Sequence, residues 1–150
     1  AAVYGVSAGA WLGFVFGVVV TIAVVTGADQ GGYIMFSARP VMTVLVCLIK
    51  GTAAGLVAGA LYRAIGKKHA LAGVIVAAAA APIVNTGLFV LAMVLFYQPQ
   101  LQAWAGGTAV AAYIVTTLVG VNFLLELGVN LVLSPTITRL IAACKKGPVD

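Results

Sequence analysis

The sequence predicts an all-α integral membrane protein, and three observations carry that reading. Of 150 residues, 63% are hydrophobic and 7% are charged, whereas a soluble domain is about 25% charged. A chain this short buries only about two-thirds of its surface on folding. Much of that apolar surface must therefore meet lipid, and a water-soluble enzyme is excluded. Second, four segments reach the roughly 20 apolar residues that a transmembrane helix needs. Third, the cations are segregated. Arg63, Lys67, Lys68, Arg139, Lys145 and Lys146, six of the eight Lys and Arg, fall in or just before one short connection and toward the C-terminal tail.

The first segment runs over about Val3–Val25 and carries Gly5, Gly9, Gly13 and Gly17 at every fourth position. Residues four apart share a helix face, so this helix presents a groove without side chains. The second, about Pro40–Ile65, repeats the device with Gly51, Gly55 and Gly59. In lipid such grooves permit close backbone approach. Two readings are open: the stripes pack the helices of this chain together, or they dock a second membrane subunit. The third segment covers about Leu71–Tyr97 and contains Pro82 and the run Ala77–Ala81. The fourth begins near Thr108 and continues toward Ala143, roughly 54 Å if it were one helix. That is too long for hydrocarbon throughout. Ser134-Pro135 is expected to kink or break it near residue 133, leaving residues 136–146 at the interface.

The connections alternate in character. Residues 26–39 form a glycine-rich loop with Asp29, Tyr33 and Arg39; Gly66-Lys67-Lys68-His69 is a tight basic turn; residues 98–107 are polar and aromatic, with Trp104. By the positive-inside rule the basic turn and tail are cytoplasmic, the two longer loops face out, and both chain ends lie inside. The net charge of +5 is thus read as topology, with no nucleic acid as partner. The first segment lacks a basic leader region and a cleavage site. Starting within an apolar run at Ala1-Ala2-Val3, the chain reads as beginning partway through a larger protein.

Ionisable groups at membrane depth are costly and usually functional. Lys50 lies ten residues into the second segment, about 15 Å below its outer end. Asn85 falls midway along the third. Asn122, Glu126 and Asn130 form a polar stripe on the fourth. Lys50, Asn85 and Asn122 fall at comparable depth, with Glu126 one turn deeper. In one reading Lys50 and Glu126 neutralise each other while the asparagines bridge helices. In the other these groups floor a pocket open to the outside, lidded by the two outer loops. Trp104, Tyr97, Tyr33 and Tyr113 would then close over a ligand or serve as interfacial belt aromatics. Arg39 either recruits an anion or anchors a helix end. Asp29 reads as a solvated turn residue, His69 as a solvated neighbour of the lysines, and Cys47 and Cys144 as inert thiols.

No phosphate-binding loop, HExxH or CxxC motif occurs, and no metal site or catalytic residue is expected. One deeply placed carboxylate supports neither hydrolysis nor a proton relay. The composition suits a passive binder or conduit.

Four stretches carry a family resemblance. Val3-Tyr4-Gly5-Val6-Ser7-Ala8-Gly9-Ala10-Trp11-Leu12-Gly13-Phe14-Val15-Phe16-Gly17 resembles the third helix of the substrate-binding S components of energy-coupling factor (ECF) vitamin transporters. Lys50-Gly51-Thr52-Ala53-Ala54-Gly55-Leu56-Val57-Ala58-Gly59 resembles their fourth, Pro82-Ile83-Val84-Asn85-Thr86-Gly87-Leu88-Phe89 their fifth, and Asn122-Phe123-Leu124-Leu125-Glu126 with Leu133-Ser134-Pro135 their sixth. The resemblance implies a six-helix bundle in a prokaryotic cell membrane, of which helices 3–6 are seen here and the first two are missing. It implies high-affinity capture of a vitamin from outside and docking on a transmembrane T component driven by two ATPases. ATP and Mg would act in those partners, and this chain would hold no cofactor and be no enzyme. It places Lys50, Asn85, Asn122 and Glu126 near the substrate, with residues 26–39 and the loop bearing Trp104 as gates. Few aromatics line such a pocket, and it holds one intramembrane cation. A small hydroxylated anion such as pantothenate would therefore suit it. The alternative from another class is a stand-alone channel or secondary transporter, and a third is a purely structural membrane subunit with a Lys50–Glu126 contact.

Overall fold

The computed structural model describes residues 5–146, which form α1 (Val6–Val25), α2 (Gln30–Ala38), α3 (Pro40–Ile65), α4 (Ala70–Phe96), α5 (Gln98–Ala105), α6 (Val110–Tyr113), a π-helical segment (Ile114–Val121) and α7 (Asn122–Lys146). No strand occurs among the described residues. A backbone that satisfies its own N–H and C=O groups within each segment is what a lipid solvent demands. Helices α1, α3 and α4 are each long and apolar enough to cross a bilayer.

The expected fourth span is helical from end to end but departs from the other three. It is assembled from α6, the π-helical segment and α7, and among the described residues only α1, α3 and α4 meet the length and hydropathy of a span. The polar stripe of Asn122, Glu126 and Asn130 on α7 lowers its apolarity. Of the kink or break expected at Ser134-Pro135, the break does not occur: α7 runs through Pro135 to Lys146, and residues 136–146 continue the same helix. One missing N–H, which would have bonded the Leu131 carbonyl, is tolerated in such a helix. Ser134 donates its hydroxyl to the Asn130 carbonyl at 2.8 Å and Thr138 does the same to Ser134 at 2.8 Å.

Both long loops also contain helices that glycine and proline content concealed. α2 holds two glycines, poor helix formers, but Asp29 caps it by accepting a hydrogen bond from the Gly32 N–H at 3.0 Å, and Met35 anchors it at 2% exposure. α5 starts with a proline in its first turn and stops at Gly106, whose φ of 58° is left-handed, as a helix C-terminus favours. The basic turn over residues 66–69 is a turn, as expected.

The long helices form an open row: α1 packs on α3, α3 on α4, and α4 on α7. The α1–α3 contact is the closest. A Cβ on Gly13 would run into the Gly51 carbonyl, one on Gly17 would stand 2.7 Å from the Cys47 carbonyl oxygen, and one on Gly55 would strike Gly9. The stripes therefore bring two backbones of this chain together. Gly59 is buried as well. Gly5 stands apart from the stripe: it precedes α1 with φ 91° and has open space around it. The faces turned away from the row are apolar, with Trp11 68% and Val132 78% exposed, as suits helices in lipid.

Two small cores tie the row at its ends. Tyr62, Val74 and Ile141 join α3, α4 and α7 beside the basic turn. Met35, Met93, Tyr97 and Leu101 join α2, α4 and α5 at the opposite end. Tyr97 is fully buried there and its hydroxyl lies 2.7 Å from the Thr43 hydroxyl, with the Arg39 carbonyl 3.3 Å away. It is a helix-joining residue and not a belt aromatic or a gate. Asn130 also joins helices, donating from Nδ2 to the Ala78 carbonyl at 3.4 Å.

Gly13→Ala is expected to lower the thermal unfolding temperature in detergent, since overpacking typically costs about 1–3 kcal/mol. Gly87→Ala, at an open helical position, is expected to leave that temperature unchanged or raise it. Tyr97→Phe should destabilise the chain by about 1 kcal/mol without changing ligand affinity, measured by thermal shift and by calorimetric titration.

Candidate functional site

Between the core at the α2–α5 end and the middle of the row lies a cavity of about 310 Å³, within the usual size of small-molecule sites, about 300–1,000 Å³. Each long helix contributes to its wall. α1 supplies Val20 and Val24, α3 supplies Thr43, Cys47 and Lys50, α4 supplies Asn85, Thr86 and Phe89, and α7 supplies Glu126. The cavity is roofed from the short helices by Met35 and by Trp104, whose indole reaches Gly31 of α2. Close fit also explains Gly32, where a Cβ would meet the Val24 side chain.

The chemistry of the wall is set by few groups. Lys50 is half-buried, and its Nζ sits 5.0 Å from the centroid of the Phe89 ring. A cation over an aromatic face is stabilised by the ring quadrupole, so Phe89 takes the place that a carboxylate would otherwise fill. Among the described residues no ion pair joins Lys50 to Glu126, although both line the same cavity. The Asn85 Oδ1 is buried at the wall without a hydrogen-bond partner. Buried polar atoms are normally paired, and this oxygen, itself closed off from solvent, is an exception. Thr86 adds a hydroxyl one residue on.

Lys50, Asn85, Glu126 and Trp104 thus meet at one site. Arg39 does not join them: its side chain is exposed and its carbonyl accepts from Thr43 at 3.0 Å. Arg39 sits at the junction of α2 and α3, the last cap position of one and the first of the other, and its side chain makes no cap hydrogen bond to α3. The side chain of Asn122 lies outside the described residues, as does that of Cys144. Tyr33 is exposed, and Tyr113 packs on the α2–α5 core. Cys47 is a buried free thiol that lines the cavity.

Two contributors were not legible beforehand. Asp29 reads as a turn residue, yet the extended backbone that makes it the cap of α2 also sets its carboxylate on the cavity wall. Phe89 reads as one apolar residue among many. Its register with Lys50 emerges only when α3 and α4 are packed, although its place one helical turn from Asn85 on the same face was a usable signal.

A family model described as the substrate-specific component of ECF transporters matches residues 1–138. No curated protein and no solved structure matches the chain. With a match over nearly the whole length, and membrane-spanning helices arranged around a polar-floored cavity, this multi-pass membrane protein belongs to the family of substrate-specific components of ECF transporters.

Proposed function

We propose that this chain is a binding subunit that captures a small hydroxylated monocarboxylate, with pantothenate the best-fitting vitamin, and delivers it through a T component powered by two ATPases. The observation that carries the reading is a membrane-depth ammonium, Lys50, held over Phe89 without a carboxylate partner in a cavity that Asn85, Thr86 and Glu126 also line. The ligand carboxylate would pair with Lys50. Its hydroxyl and amide hydrogens would go to the acceptors Asn85 and Glu126, with Asn122 as a further polar neighbour, and Trp104 would cover it. The α2–α5 end would face outward and the Arg63–Lys67–Lys68 end the cytoplasm, with both chain termini inside a prokaryotic cell membrane. The chain itself performs no chemistry in this scheme, and ATP hydrolysis stays with the partners.

Calorimetric titration of the purified chain with pantothenate, folate, cobalamin and pyridoxine tests the ligand. Pantothenate should bind, and Lys50→Ala should weaken it about 10- to 100-fold, the range for a hydrogen bond to a charged group. No pantothenate binding, or an unchanged affinity in Lys50→Ala, overturns the assignment. Copurification should recover a second integral membrane protein and two ATPases. Solute flux through the purified chain alone in liposomes without ATP would instead favour a stand-alone channel or secondary transporter.

A further inference from the structure

We propose that the cavity is also a charge filter, in which Asp29 and Glu126 reject phosphorylated forms of a ligand that the same cavity accepts unphosphorylated. This rests on the cavity being the ligand site. Three charged side chains from separate elements line it: Asp29 at the cap of α2, Lys50 on α3 and Glu126 on α7. Two negative charges against one positive leave the wall at −1. The charges do not cancel locally, because among the described residues none of the three forms an ion pair with another. Lys50 is held by Phe89, and Asp29 by the neutral Gly32 N–H at 3.0 Å.

A monocarboxylate with hydroxyl and amide groups matches this wall. Its one negative charge goes to the one ammonium, and its hydrogens go to the carboxylates, which only accept. A phosphate ester adds about −1.5 to −2 of charge and further acceptor oxygens. Where the ligand has a carboxylate, Lys50 is already engaged by it, and where it has none, one ammonium does not balance a phosphate set among two carboxylates, so the phosphate meets acceptors and like charges. The two carboxylates come from different elements, Asp29 at the α2–α5 end and Glu126 on α7, so like charge is met on both sides of the cavity.

The test measures affinity by titration for two pairs, pantothenate with 4′-phosphopantothenate and pyridoxine with pyridoxine 5′-phosphate. The protein is the full chain as wild type, Asp29→Asn and Glu126→Gln. Asparagine is as good a helix cap as aspartate, so Asp29→Asn removes charge and keeps α2. The wild type should prefer the unphosphorylated member by about 100-fold, and each neutralised carboxylate should narrow that preference by about tenfold. Equal binding of both members by the wild type, or a preference unchanged in both variants, overturns the filter. Pantothenate binding that depends on Lys50 but lacks discrimination removes the filter and leaves the proposed function standing. Discrimination within the pyridoxine pair without pantothenate binding does the reverse. Binding of no member of either pair removes both.

Discussion

The contact on which the rest of this protein depends is the meeting of two bare backbones, α1 and α3, along Gly9, Gly13 and Gly17 on one side and Gly51 and Gly55 on the other. Lipid gives helices no hydrophobic reason to associate, so dispersion contact across a close approach must hold them. That approach is possible because no Cβ stands between the two chains. It also has an architectural consequence. With α1 drawn against α3, the residues one face round on both helices, Val20 and Val24 with Thr43, Cys47 and Lys50, turn toward the same space. The second close seam, α3 against α4, brings Asn85, Thr86 and Phe89 to that space from the other side.

Placing an amine in such a space carries a desolvation cost, and the structure meets it without an anion. Phe89 offers its ring face to Lys50 at 5.0 Å, which stabilises the cation yet leaves its hydrogens available. A carboxylate at hydrogen-bonding distance would have satisfied the amine and closed the site to a solute anion. Glu126 lines the same cavity without forming that pair. What stands beside Lys50 in place of an ion-pair partner is therefore an aromatic ring. The polar residues on α7 divide their tasks in a comparable way. Asn130 ties the helix to the Ala78 carbonyl, whereas Glu126, one turn earlier, faces the cavity.

Much of the site is legible from residues alone because membrane depth is a one-dimensional property. Counting residues from the ends of apolar segments puts Lys50, Asn85 and Glu126 at related depths, and the helical rise makes that count a distance. What such counting leaves out is rotation about the helix axis and the contents of the connections. Tyr97 and Trp104 look alike as aromatics near one boundary, but Tyr97 turns inward to Thr43 and is buried, while Trp104 covers the cavity. Arg39 and Asp29 bound the same connection. The helix cap draws the acidic residue onto the wall, and the α2–α3 junction sends the basic one to the surface.

Composition and periodicity by themselves determined that this chain lives in lipid, that its long segments are helices, and that glycine stripes and a few mid-membrane polar groups are its distinguishing features. These follow from solvent and spacing, which act on each segment separately. Tertiary structure decided which of those features meet. Whether Lys50 pairs with Glu126 or rests on Phe89, whether α7 breaks at Pro135 or runs on, and whether Asp29 belongs to a loop or to a cavity wall depend on how neighbouring elements are rotated and seated. That is a matter of side-chain contact between segments far apart in the chain, and no property of either segment alone contains it.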